Sequence, residues 1–227
     1  MTPRSNALLA TLPDSEYMRF APHLEKVMLR KGQTLFEMGQ SPTNVYYPVR
    51  AMVSMLIDLS EGLSVEAHML GPTSMVGVAA VDEPSFYRAT VRSTGLAYQL
   101  PISVLKREQT SCPVYMRTAA SAISRLLAQM AQTIACAQHH TKEQQIIKWL
   151  LVTLDHSLTP VIKITQQELA DLLGFRRELV SLVLKKLIMR NEVQLHRGQI
   201  EVVNRNALEQ ASCDCYWVGH ERERPTK

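Results

Sequence analysis

The sequence predicts an α+β fold in which a small antiparallel β-roll is followed by a long helix and a C-terminal winged helix-turn-helix. Three observations carry this. Short apolar runs separated by Gly and Pro crowd the stretch from Val27 to Leu100. A helical period with no Gly or Pro then extends from Val114 to Leu158. Beyond it, two short amphipathic patterns flank Gly174 and lead into a hairpin pattern. The change from strand runs to a 3.6-residue period is the primary signal of element type.

Taken in order, the strand runs are Val27-Met28-Leu29, Thr34-Leu35-Phe36, Val45-Tyr46-Tyr47, Met52–Leu56, Val65–Leu70, Thr90-Val91 and Leu96–Leu100. Turn residues stand between them: Gly32, Gly39, Pro48, Gly62, Gly71-Pro72. Near-regular spacing of this kind is the mark of a small barrel or roll. Pro101-Ile102-Ser103 reads as a helix start, since proline tolerates the first turn. In the long pattern, Ala120, Ile123, Leu127, Met130, Ile134 and Ala137 recur at alternating spacings of three and four. Met116, Ala119, Ile123, Leu126, Met130 and Thr133 form an overlapping seam. A helix from Val114 to His139 would be about 40 Å long, and an apolar stripe of that length needs a partner. Packing on the roll is one partner, and a second subunit across a coiled-coil axis is the other. The doubled stripe suits both, so Ala120, Ile123, Leu127, Met130, Ile134 and Ala137 are expected at a homodimer interface. The expected divisions are residues 1–110, 111–140 and 141–227, with His156–Pro160 as a short linker.

The chain has 227 residues, 46% hydrophobic and 20% charged, which is the balance of a folded globular protein. No run approaches the roughly 18 apolar residues of a membrane span, and the Ala7–Leu12 patch is too short for a secretory signal. A cytoplasmic location without a membrane partner is therefore expected. Cys112, Cys136, Cys213 and Cys215 are then expected as reduced thiols. A net charge of +4 permits nucleic-acid binding but does not argue for it, because local clustering matters more than the total.

That clustering lies between Ile164 and Leu187. Thr165 and Glu168 have the spacing of a capping box. Leu169, Leu172 and Leu173 give a first helix one apolar face, and Gly174 supplies the left-handed turn residue. Leu179, Val180, Val183, Leu184 and Leu187 give the second helix its apolar face. In a helix-turn-helix the N-terminal side chains of the second helix reach base edges in the major groove. Here those are Arg176, Arg177, Glu178 and Ser181. Arginine pairs bidentately with guanine and glutamate accepts from cytosine. Lys185, with Lys186 and Arg190, suits phosphates. Val193–His196 and Gln199–Val203 flank Arg197-Gly198 as a wing. A small helical bundle with a solvated basic face is the plain alternative, and a winged helix that docks a protein is another.

At these residues, and across nearly the whole chain, the sequence resembles the CRP/FNR family of bacterial regulators. The resemblance rests on the roll pattern, the long helix and the run Ile164-Thr165-Gln166-Gln167-Glu168-Leu169-Ala170 with Leu173-Gly174-Phe175-Arg176-Arg177-Glu178-Leu179-Val180. It implies a cyclic-nucleotide-binding-type β-roll as sensor domain, a dimerisation helix and a DNA-binding domain. The implied partners are double-stranded DNA with a palindromic operator, a second copy of the chain, and RNA polymerase for an activator. Arg177 and Glu178 align with the family's base-reading pair, and Thr165 and Gln167, with Gln166 between them, match the region that touches DNA backbone. Leu182 departs from the family, where arginine is common.

Cyclic-AMP-binding members carry Gly-Glu and, further on, Arg-Ser/Thr-Ala. Gly77 and Arg88 resemble the ends of that cassette, but Val78 replaces the glutamate and Ala89-Thr90 replaces Ser/Thr-Ala. A valine cannot accept from a ribose hydroxyl, and an unpaired buried hydroxyl costs about 1–3 kcal/mol. Cyclic AMP is therefore not expected as the effector. Gly77, Val78, Arg88, Ala89, Thr90 and, late on the long helix, His140 mark the expected effector pocket. Arg88 alternatively pairs with Asp82 or Glu83, and His139-His140-Thr141 alternatively forms a solvated hinge. No cysteine precedes Cys112, so the N-terminal cluster of the family's iron–sulfur sensors is not expected. Cys213 and Cys215 are two soft ligands, with His220 the nearest local third. Zinc needs four, so no metal or other cofactor is expected from this set, and a thiol- or metal-responsive role for the pair stands as an alternative. Walker loops, nucleophile elbows and His-Glu-x-x-His motifs are absent from the sequence, which points away from an enzyme.

Overall fold

The computed structural model describes residues 1–78, 83–157 and 159–218. It divides into two compact units. The first comprises Met1–Asp58 and Glu66–Leu127, and the second comprises the chain from Ala128 onwards with Leu59–Val65. No helix among the described residues is long and apolar enough to cross a membrane.

The first unit opens with α1 (Ala7–Ala10) and α2 (Asp14–Phe20). Every one of the seven apolar runs then forms a strand: β1 (Glu25–Leu29), β2 (Thr34–Phe36), β3 (Asn44–Pro48), β4 (Met52–Asp58), β5 (Ser64–Leu70), β6 (Arg88–Ser93) and β7 (Gly95–Pro101). They form two sheets of order β1-β7-β3 and β2-β6-β4-β5, with β7 antiparallel to β1 and β3 and β6 antiparallel to β2 and β4. Period-2 alternation divides the interior. Leu96, Tyr98 and Leu100 of β7 join Val45 and Tyr47 in a core shared with α1 and α2. Ala97, on the opposite face, joins Leu29, Phe36, Val53, Met55, Ala89 and Val91 in the core of the roll.

After α3 (Ile102–Glu108), the long helix α4 runs from Pro113 to His139. Its N-terminal amides are satisfied from far away in sequence. The buried Glu16 carboxylate accepts from Val114 N at 2.9 Å and Tyr115 N at 2.8 Å, placing negative charge where the helix dipole is positive. The hydroxyls of Tyr115 and Tyr47 are 2.6 Å apart. Tyr115 and Ala119 are buried in the first core, Ala122 packs beside them, and Leu126 packs on the roll. One flank of α4 is thereby covered. On the other, Leu127 is 62% exposed and Ile134 66% exposed.

The uninterrupted helical pattern from Val114 to Leu158 is not one helix. It breaks after His139, and α5 starts at Lys142 and ends at Asp155. Thr141 is the cause. Its hydroxyl accepts from Gln144 N, the Gln144 side chain accepts from Thr141 N, and the backbone is extended at φ −64°, ψ 155°. This capping box starts a new helix without Gly or Pro.

The rest of the second unit runs β8 (Val161–Ile162), α6 (Gln166–Leu173), α7 (Arg177–Met189), β9 (Val193–His196), β10 (Gln199–Val202) and α8 (Arg205–Ala211), with the two helices and the hairpin in the predicted order. A four-residue helix, α9 (Asp214–Trp217), completes it. The three strands form one sheet, β8-β10-β9. Buried Ile146, Leu150, Leu169, Val180, Leu184, Leu187 and Ile200 line the interior. Arg205 ties three helices together, binding Asp155 of α5, Glu209 of α8 and the Tyr216 hydroxyl of α9.

Candidate nucleic-acid interface

Local sequence builds the helix-turn-helix. Thr165 caps α6, accepting from Glu168 N at 3.1 Å while the Glu168 carboxylate accepts from Thr165 N at 2.8 Å. Gly174 ends the helix in the left-handed region at φ 65°, ψ 34°. Phe175 N donates to Ala170 O at 2.9 Å, closing a Schellman-type turn. The Lys142 ammonium lies 4.7 Å from the centroid of the Phe175 ring and steadies the turn from the start of α5.

The turn delivers the predicted reading residues to the surface. Arg176 is the N-cap residue of α7, and Arg177, Glu178, Leu182 and Lys185 are all exposed, with Ser181 half-buried among them. Val180, Val183, Leu184 and Leu187 hold the opposite face in the core. Among the described residues, Arg176, Arg177 and Lys185 make no ion pair, so their charge faces outward. Arg190 is different. It binds Glu143 at 2.7 Å and Glu192 at 3.1 Å, and Lys186 lies 3.9 Å from Glu143. Part of the basic stripe expected on phosphates is therefore already neutralised within the unit.

Arg177 stands at a depression of about 210 Å³ lined also by Thr165, Gln166 and Gln167 of α6 and by Leu195, His196, Gly198 and Gln199 of the wing. The Gln167 side chain donates to Asp171 at 2.7 Å and is held along α6. The wing strands pair His196 with Gln199 across the Arg197-Gly198 turn. Gly198 sits at φ 70°, which this tight turn requires. The starts of both helices and the wing thus converge on one surface.

Residues 144–211 match the Crp-like helix-turn-helix domain, and residues 26–108 match the cyclic nucleotide-binding domain. The chain belongs to the CRP/FNR family of transcription regulators. This CRP/FNR-family protein is 21% identical over 198 residues to the global nitrogen regulator of Synechococcus elongatus, covering 82% of this chain and 89% of that protein. Solved structures share its fold. A protein of Eubacterium rectale assigned to the CRP/FNR family has a TM-score of 0.72 at 16% identity, covering 91% of this chain and 98% of that one. FixK2 of Bradyrhizobium japonicum has a TM-score of 0.69 at 17% identity, covering 84% and 98%. The family consists of DNA-binding transcription regulators, not enzymes.

In the roll of this CRP/FNR regulator, the candidate effector residue Arg88 is engaged by carboxylates. Arg88 holds Asp58 bidentately, Nε to Oδ2 at 2.9 Å and Nη2 to Oδ1 at 2.7 Å. It also lies 3.3 Å from the Thr90 hydroxyl and 3.6 Å from Glu37. The Asp58 hydrogen bonds raise the guanidinium's pKa above its ordinary value. Asp58 and Glu37 are carboxylate partners besides the alternatives Asp82 and Glu83, of which Asp82 lies outside the described residues. Gly77 has φ 93°, and a Cβ there would meet Asn44 O at 2.9 Å, so only glycine fits. Val78 is half-buried against the first core, Ala89 is buried in the roll, and Thr90 faces Arg88.

His140 belongs to the second unit, while Gly77, Val78, Arg88, Ala89 and Thr90 belong to the first. Its Nδ1 lies 3.3 Å from Cys215 Sγ. Cys136 Sγ lies 3.7 Å from Cys213 Sγ. The pair Cys213 and Cys215 is therefore joined by two donors from α4 and the turn after it, which local spacing did not reveal. His220 lies outside the described residues. All four cysteines are thiols without a disulfide. Cys213 has its thiol pKa lowered by the hydrogen bond from Cys136, which in turn is raised.

Proposed function

We propose that this regulator reads a palindromic operator as a homodimer, with the first turn of α7 in the major groove, and does so without cyclic AMP. The observation that carries DNA reading is the convergence of Arg177 with Thr165, Gln166, Gln167 and the wing about one depression, with exposed Arg176 and Lys185 on the same recognition helix. Arg177 pairs with guanine O6 and N7, and Glu178 accepts from cytosine N4. Ser181 and Arg176 add base or backbone contacts, and Lys185 takes a phosphate. Leu182, 57% exposed on the same face, meets a thymine methyl in place of the hydrogen bonds an arginine would make. The dimer axis runs along Ala120, Ile123, Leu127, Met130, Ile134 and Ala137. Work on chromosomal DNA places the protein in the cytoplasm, and as an activator it would engage RNA polymerase.

Independence from cyclic AMP rests on Val78 and on Arg88. The valine offers no acceptor to the ribose, and the arginine is already paired with Asp58. An effector entering at Gly77, Val78, Arg88, Ala89 and Thr90 must be an anion able to displace that carboxylate.

A gel-shift titration against selected operators over a salt series tests the reading. Specific binding should weaken steeply and linearly on a log–log plot as salt rises, and should not respond to cyclic AMP. Binding that appears only with cyclic AMP would overturn the independence. Failure to select any sequence from a random duplex library would overturn DNA reading.

A further inference from the structure

Four soft or borderline ligands converge at the end of α4. Cys136 and His140 are one helical turn apart, Cys213 is the N-cap residue of α9, and Cys215 lies in its first turn. Their four ligand atoms all lie within 4.8 Å of one another. The three cysteines are buried and His140 is half-buried. The spacing fits a tetrahedral ion. Zn–S bonds of about 2.3 Å and a Zn–N bond of about 2.0 Å put two thiolates about 3.8 Å apart and a thiolate and an imidazole nitrogen about 3.5 Å apart. The corresponding distances are 3.7 Å for Cys136–Cys213 and 3.3 Å for Cys215–His140. The sulfur–sulfur separation is far beyond the roughly 2.05 Å of a disulfide.

The surroundings suit thiolates bound to a cation. Gln132 Nε2 donates to Cys215 Sγ at 2.9 Å. The backbone amide of Cys215 donates to Cys213. The Lys148 ammonium lies near enough to Cys136 to act on it electrostatically. Three thiolates and a neutral imidazole leave a zinc centre with one net negative charge, which these donors and the ammonium offset. The frame is fixed too, since Arg205 and Asp155 hold Tyr216 between them, next to Cys215.

We propose that Cys136, His140, Cys213 and Cys215 bind one zinc ion, fastening the C-terminal α9 to the last turn of α4. Four protein ligands fill the coordination sphere, so the site is a closed structural or regulatory one and leaves no position for catalysis. His140 immediately precedes Thr141, the residue that starts α5. The ion therefore holds the turn where the long helix ends and the DNA-binding half of the chain begins. This site stands independently of the operator reading, because metal content is measured without DNA.

The test uses the full-length protein, reduced and free of added chelator. Elemental analysis should find one zinc per chain. Anaerobic titration of metal-free protein with Co²⁺ alone should saturate at one equivalent, with thiolate-to-cobalt charge-transfer and tetrahedral ligand-field bands that one equivalent of Zn²⁺ abolishes. Cys136→Ser and Cys213→Ser should lose those bands, and Cys112→Ser, altered in the other unit, should keep them. His140→Cys should keep tetrahedral cobalt with altered bands. Chelation of the wild type should lower the unfolding temperature by about 5 °C or more, reversibly on zinc return. That reversal keeps the test decisive if the serine variants fail to fold. The proposal is overturned if the folded, reduced protein takes up no cobalt, if Cys112→Ser loses metal as fully as Cys213→Ser, or if the chelator-free protein carries a Cys136–Cys213 disulfide at rest.

Discussion

Replacing Leu127 and Ile134 together by alanine should take the protein apart into monomers while leaving each monomer folded. Both side chains lie on α4, and both are mostly exposed within one chain, at 62% and 66%. Full burial of a leucine or isoleucine is worth about 1.5–3 kcal/mol, so about two-thirds of that, or about 1–2 kcal/mol each, is still to be gained by covering them. A two-fold axis buries four such side chains, for about 4–8 kcal/mol, and alanine keeps one carbon of each, which trims the loss to about 3–6 kcal/mol. At about 1.4 kcal/mol per decade, the dimer dissociation constant should rise about 10²- to 10⁴-fold. Sedimentation equilibrium from nanomolar to tens of micromolar protein reads this directly. Thermal unfolding of the protomer should move little, since neither residue is in its core. A wild type that sediments as a monomer at micromolar concentration would refute the reasoning. So would a double variant whose dissociation constant shifts by less than tenfold.

Three further outcomes are expected. Arg177→Ala should weaken operator binding by about 1–3 kcal/mol and relax selectivity at one base pair, whereas Lys185→Ala should weaken all sequences alike and reduce the salt slope by about one, both measured by fluorescence anisotropy. Gly174→Ala forces an L-residue into φ 65° at about 1–2 kcal/mol, so unfolding should begin about 2–8 °C lower in a calorimetric scan. Asp58→Ala leaves the half-buried Arg88 without its bidentate partner, and a loss of about 1–3 kcal/mol in urea unfolding is expected, with any anion that binds the roll binding tighter once its competitor is gone.

What the sequence disclosed follows from the range of the forces involved. The strands, the capping box at Thr165, the turn at Gly174 and the wing at Arg197-Gly198 are each set by neighbours a few residues apart, and each stands where the pattern put it. The break in the long helix is equally local: it falls at the expected 140/141 division, where Thr141 and Gln144 form a capping box that takes the place of a Gly or Pro. Contacts across long separations were not legible. Arg88 finds Asp58 thirty residues back. Cys136 meets Cys213 at a separation of 77. The hint available was chemical: four cysteines, two of them one residue apart at Cys213 and Cys215, and a histidine one turn from a third.

The Glu16 carboxylate beneath the first turn of α4 bears on where this chain can be cut. Its two amide partners, Val114 and Tyr115, arrive 98 and 99 residues later. During synthesis the acceptor is therefore made long before its donors, and it is sealed only when the start of α4 docks over α2 and the roll. A fragment ending at residue 112 would strand a buried anion without either amide. The roll is best excised with α4 through Leu127, so that the buried carboxylate keeps both of its amides.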